Sequence, residues 1–190
     1  MRIHSRKQSF YSLLPVAAVA LIALQVTEAQ QPRPPVVYTT PARSVEFSFI
    51  TTASGISVPL ETQASYTITS VGDDDSLSGT FTITLPNRAR QKIADAAQSK
   101  IEQIAETYSR KNVQAKPEKG TACPSISLEL SDFDIDVTGG RLVMSGIELR
   151  ITESGDRLIQ LFCFWTRQIN AKRERGGIVR SINRMIEGDK

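Results

Sequence analysis

The chain reads as an α+β domain: an antiparallel sheet, flat or curved into a half-barrel, with one long helix packed on it and a short amphipathic helix at the C-terminus. Three observations predict this. Segments rich in β-branched and aromatic residues alternate apolar and polar positions and are separated by turn residues. From Arg88 to about Ser109 the apolar residues Ile93, Ala97, Ile101, Ile104 and Tyr108 recur at helical spacing instead. The most apolar stretch, Asp156 to Arg167 (DRLIQLFCFWTR), is hydrophobic on both faces when extended, with Leu158, Phe162 and Phe164 on one and Ile159, Leu161, Cys163 and Trp165 on the other. A strand of that kind is buried on both sides, so this is the expected centre of the sheet.

Before the domain, residues 1–29 read as a secretory signal. Arg2, His4, Arg6 and Lys7 form a basic start, Leu13 to Leu24 is an apolar run of 12 residues, and Thr27-Glu28-Ala29 offers small residues for cleavage after Ala29. The run is shorter than the ~20 residues a membrane-spanning helix needs. No other run of spanning length follows, so the mature chain is expected to have no transmembrane segment and to be exported, either secreted or periplasmic. Residues 30–43 are Pro-rich and read as an extended linker, and residues 44–190 as a single domain.

Within that domain, Ser44 to Thr51 alternates as a half-buried strand, with Val45, Phe47 and Phe49 on one face. Ile56 to Leu60 is a short second strand, and Pro59 marks it as an edge or an end. Ala64 to Val71 and Leu77 to Leu85 form a hairpin across the turn residues Gly72 to Ser76, whose three Asp side chains read as solvated. The helix from Arg88 to Ser109 follows, then a polar loop at Lys116 to Gly120. Ser125 to Leu130, Phe133 to Val137, Leu142 to Ser145 and Ile147 to Thr152 are further strands. After Gly176-Gly177, a stripe of Ile178, Val179, Ile182, Met185 and Ile186 predicts the C-terminal helix. Scattered matches between the halves, such as Ile68-Thr69 with Ile151-Thr152 and Leu77 and Phe81 with Leu158 and Phe162, fit a duplicated βββα unit. Shared amphipathic patterning explains them equally well.

Composition removes several chemistries. Without the signal, 20 basic residues face 19 acidic ones, so the mature chain is nearly neutral. Its only histidine, His4, lies in the signal, which excludes Ser-His-Asp and Cys-His catalysis and His-ligated zinc. Cys123 and Cys163 are expected to pair, as two cysteines in an exported chain usually do, and pairing removes the free thiolate a nucleophile needs. No nucleophile motif and no phosphate-binding Gly-rich loop is present. No cofactor is expected.

Two clusters remain as candidate sites. Asp132, Asp134 and Asp136 fall two residues apart on one face of a strand, and hard carboxylate oxygens are what Ca²⁺ takes. The calcium-loop pattern then fails, with Val137 at the Gly position and Val143 at the Glu position, and a water-facing strand surface explains the same residues. Arg173, Arg175, Arg180 and Arg184 surround the C-terminal apolar stripe, a composition suited to an anionic surface. The alternative is an ordinary helix packing its stripe on the sheet. Nucleic acid is not an expected partner, because the basic region has no aromatic residue for base stacking. The favoured expectation is a non-catalytic exported module that binds a ligand, a protein or an envelope surface. A carboxylate-dependent hydrolase using the Asp132, Asp134 and Asp136 face is the alternative.

Overall fold

Among the described residues, nine strands form one antiparallel sheet: β1 (Tyr38–Thr39), β2 (Arg43–Thr51), β3 (Ser57–Val71), β4 (Leu77–Thr84), β5 (Thr107–Pro117), β6 (Ser125–Leu130), β7 (Phe133–Val137), β8 (Gly140–Met144) and β9 (Glu148–Thr152). Three helices accompany them: α1 (Asn87–Ala96), α2 (Arg157–Asn170) and α3 (Gly176–Glu187). This computed structural model describes residues 34–121, 123–152 and 155–188. The expected signal, residues 1–29, lies outside the described residues.

The strands run in the order β7-β8-β2-β3-β4-β5-β6-β9, with β1 pairing β3 where β2 leaves it. Curling is visible in one contact. The rings of Phe81 on β4 and Phe133 on β7 meet at 5.0 Å, edge to face. Those strands are four steps apart in the sheet, which in a flat sheet would separate them by about 19 Å. The sheet therefore rolls until its β7 edge reaches β4 and β5. Its inner face and the buried stripes of all three helices form one continuous apolar cluster.

At the middle lies β3, 15 residues long, whose Leu60, Thr62, Ala64, Tyr66 and Ile68 alternate inward. It merges the two strands expected at Ile56 to Leu60 and Ala64 to Val71. Pro59 is accommodated because β3 has only β2 beside it there; pairing with β4 begins at Gln63. Tyr66 is fully buried, and its hydroxyl donates to the carbonyls of Val113 on β5 (2.8 Å) and Leu77 on β4 (3.2 Å). Its ring passes over Gly79, where a Cβ would stand 2.5 Å from the ring carbons. Thr40 completes the site: its amide donates to the Tyr66 carbonyl, and its hydroxyl accepts from the Tyr66 amide.

Two expectations are corrected. The stretch Asp156 to Arg167 is not the central strand but the start of α2. Its buried residues are Leu158, Ile159, Phe162, Cys163, Trp165 and Thr166, a helical stripe, while Gln160 and Phe164 are exposed. A wide helical stripe and a strand buried on both faces produce nearly the same apolar run, interrupted here only by Gln160. What decides here is the cap: the Asp156 carboxylate accepts from the Leu158 amide at 2.9 Å. The long helix from Arg88 to Ser109 is also absent. α1 ends at Ala96, Gln98 takes a left-handed φ of 51°, and a single 3-10 turn (Ile101–Gln103) leads into β5. Arg90 holds the returning chain by donating to the carbonyls of Ile101 and Ile104. Ile93 and Ile104 are buried as helical spacing required, but from two different elements. Tyr108 lies on β5.

The remaining strands follow the alternation, and α3 buries Val179, Ile182 and Ile186 as expected. The order of elements does not repeat a βββα unit. Five strands separate α1 from α2, and the matched pairs Leu77 with Leu158 and Phe81 with Phe162 join a strand to a helix. Residues 36–40 of the Pro-rich linker are docked: the Val36 amide donates to the Met185 carbonyl, and β1 pairs with Thr67 and Ile68.

Three ties fasten the helices to the sheet. Asn183 of α3 bonds both the amide and the carbonyl of Val71 (2.7 and 2.9 Å). Arg175, at the head of α3, pairs with Asp75 in the β3–β4 turn at 2.7 Å. Burial pushes the Asp75 carboxyl above its usual range, and the Arg175 guanidinium partly offsets this. Asp75 is therefore not the solvated turn residue expected. Cys123 and Cys163 are bonded, with Cα atoms 5.5 Å apart, joining the segment before β6 to α2.

Two predictions follow from these anchors. Burial pushes the Tyr66 hydroxyl far above its usual value near 10. A group whose folded pKa is raised stabilises fully below its unfolded pKa and loses that contribution as pH rises through and beyond it. Tyr66→Phe is expected to cost about 1–3 kcal/mol at pH 7 by removing the one buried proton shared between the two carbonyls. The variant should lose less additional stability than wild type between pH 9 and 11.5; equal slopes in denaturant titrations would refute the assignment. Breaking the disulfide opens a loop of 40 residues, worth about 4 kcal/mol in the chain-entropy account. Cys123→Ser should accordingly lower the urea midpoint sharply, and an unchanged midpoint would rule out a stabilising role.

Candidate functional site

The rolled sheet does not close. β5 has 11 residues, yet β6 pairs only with Ala115–Pro117, through Leu128–Leu130. One more bond, from the Ser131 amide to the Gln114 carbonyl (2.9 Å), ends the ladder. Beyond it the two chains part. Among the described residues, β5 from Thr107 to Val113 pairs only on its β4 side, through all but the bulged Lys111 and Asn112, and β7 pairs only on its β8 side. The parted edges enclose a cleft of about 640 Å³, lined by Ser109 to Gln114 on one wall and Ser131 to Phe133 on the other.

Local sequence opens this fork. The β4–β5 register slips between Gly79 and Phe81, and Asn112 opposite takes a left-handed φ of 59°. Such a bulge bends the strand and turns its edge, and Asn is among the side chains that tolerate this conformation. Opposite, Phe133 turns inward onto Phe81 and forms the floor. The walls differ in sign. Arg110 and Lys111 stand exposed on the β5 side and Asp132 on the other.

The three sequence-predicted carboxylates do not share one role. Asp132 precedes β7 and lines the cleft, whereas Asp134 and Asp136 lie on β7. Asp134 meets Arg141 at 3.5 Å, with both side chains about half exposed, a pair worth at most about 1 kcal/mol. Asp136 sits across from Arg141 in the β7–β8 register. Among the described residues no three His, Cys, Asp or Glu side chains gather to hold a metal ion. Arg173, Arg180 and Arg184 are exposed, while Arg175 is engaged by Asp75.

A second concavity of about 420 Å³ lies where β3 lacks β4, between Glu61, Gln63 and the α1 residues Arg88 and Lys92. Ser44 already donates to Glu61 there. Sequence reasoning missed Arg110, Lys111 and Asn112, having placed the chain up to Ser109 on a helix. The available signal was the polar break Arg110-Lys111-Asn112 between Tyr108 and Val113.

With one carboxylate at the cleft and another held by Arg141, added calcium has little to bind. Millimolar CaCl₂ is expected to leave the melting temperature of the wild type and of the Asp132→Asn/Asp134→Asn/Asp136→Asn variant unchanged. A rise confined to the wild type and absent with Mg²⁺ would reassign this face as a calcium site. Compared with known proteins, the chain matches no family model, no curated protein and no solved structure.

Proposed function

We propose that the chain is an exported, non-catalytic binding module, secreted or periplasmic, whose recognition element is the fork between β5 and β7. The partner is a protein presenting an extended segment, which pairs along the free edge of β5. One observation carries this reading: among the described residues, β5 from Thr107 to Val113 keeps one side without a strand partner, and Ser109 to Val113 of that stretch line a cleft. An exposed strand edge binds an extended chain through its main chain, and the flanking side chains select among sequences. Arg110 and Lys111 favour acidic residues on one side of the incoming strand, and Asp132 favours a basic residue on the other. The absence of histidine after His4 and the bonding of both cysteines support a non-catalytic role. The apolar run at Leu13 to Leu24 and the disulfide support export. No helix among the described residues is long and apolar enough to cross a membrane.

Selection from a random decapeptide library tests the proposal. Selected peptides should protect the amides of residues 107–113 from hydrogen exchange and bind at least tenfold more weakly to Arg110→Glu/Lys111→Glu. Protection elsewhere, unchanged affinity in the variant, or failure to select any peptide would refute it.

A further inference from the structure

A second surface differs from the fork in chemistry. On α2, Leu161, Phe164 and Gln168 share one stripe, and Gly177, Ile178 and Ser181 face them from the first turns of α3 across a groove of about 450 Å³. Phe164 is 48 % exposed, one of three large apolar side chains so exposed among the described residues. Arginines frame it. Arg157 continues the α2 stripe one turn before Leu161, and Arg184 continues the α3 stripe one turn after Ser181. Arg167 and Arg180 stand exposed beside these stripes, and among the described residues none of the four is in an ion pair. The head of α3 adds to the field. Arg175 gives no side-chain cap, no acidic residue occupies the first turn, and Gly176 and Gly177 are exposed. A bare helix start favours anions. Glu174 is the only carboxylate lining the groove.

We propose that this face docks on an anionic lipid bilayer. Phe164 and Leu161 enter the boundary between headgroups and acyl chains, while Arg157, Arg167, Arg180 and Arg184 meet the lipid phosphates. An amphipathic surface adsorbs in this way when apolar area and basic charge occupy one plane. The charge balance favours a lipid surface over a protein helix as occupant, because four cations around the exposed Phe164 and the half-buried Leu161 suit a continuous anionic plane. Position also matters: Phe164 follows Cys163, whose bond to Cys123 fixes this turn of α2 against the rest of the fold.

Co-sedimentation of the full chain with vesicles tests this, comparing pure phosphatidylcholine with phosphatidylcholine containing one-quarter phosphatidylglycerol. All variants carry the same N-terminus, so differences between them report on this face alone. Wild type should partition at least tenfold more strongly to the anionic vesicles, and salt should weaken it. Arg180→Gln/Arg184→Gln should lose about 25-fold, fivefold for each charge at the membrane surface, since ~1 kcal/mol per cation is typical. Phe164→Ser should lose binding comparably, Glu174→Gln should bind more tightly, and Arg43→Gln, on the sheet, should not differ from wild type. Melting temperatures within error of wild type establish that these variants fold. Equal binding to both vesicle types, no binding to either, or no effect of the arginine and Phe164 variants overturns the proposal. So does a concentration-dependent dimer abolished by Phe164→Ser, which would make the face a protein interface.

Discussion

The Tyr66 side chain is the constraint on which the rest of the sheet depends. Its hydroxyl is buried in a largely apolar core and must be satisfied there, because an unpaired buried polar group costs as much as a core contact contributes. Satisfaction comes from carbonyls on two successive strands, Leu77 of β4 and Val113 of β5. Three strands are thus tied at one atom. Gly79 is part of the same arrangement, since any side chain there would collide with the ring. The N-terminal segment joins through Thr40, which gives Tyr66 both of its backbone bonds where Pro41 interrupts β1 and β2.

The fork follows from this arrangement. The register slip beside Gly79 and the left-handed Asn112 let β5 change course near the carbonyl that Tyr66 holds. Past that point β5 no longer lines up with the chain leaving β6, and the ladder stops at Gln114 and Ser131. A core requirement at one residue therefore ends in an opening at the surface. α2 and α3 are held independently of it, through Asn183, the Asp75–Arg175 pair and the disulfide.

Much of the sheet was legible because alternation records burial directly. Ser125 to Leu130 and Phe133 to Val137 match their strands end to end, and Ser44 to Thr51 differs by one residue. The failures share a cause. In Asp156 to Arg167 and in Arg88 to Ser109, apolar spacing was compatible with two geometries, and only local polar contacts separate them. The Asp156 carboxylate on the Leu158 amide chooses helix in one, and the Arg90 guanidinium on Ile101 and Ile104 carbonyls chooses a return in the other. The first is a cap signal present in the sequence itself, outweighed by the apolar pattern; the second joins residues 11 and 14 positions apart and forms only once the chain has turned back. The fork was illegible for a different reason. It consists of pairing that does not happen, and a strand's composition does not say on how many sides it will be met.

The opposite signs of the fork's walls also bear on how copies of this protein meet each other. Pairing β5 with β5 of a second copy about a two-fold axis would set Arg110 and Lys111 against themselves, and pairing β7 with β7 would oppose Asp134 and Asp136 in the same way. Symmetric edge-to-edge dimers are therefore electrostatically penalised, a common way for sheet proteins to guard an exposed edge. Only the head-to-tail arrangement, β5 of one copy on β7 of the next, matches unlike charges. That contact is heterologous and has no reason to close. The bulge at Asn112 bends this edge, a course that a flexible peptide can follow but that β7 of a second copy, held in its own sheet, cannot, so the residue that opens the fork also guards it against its own kind.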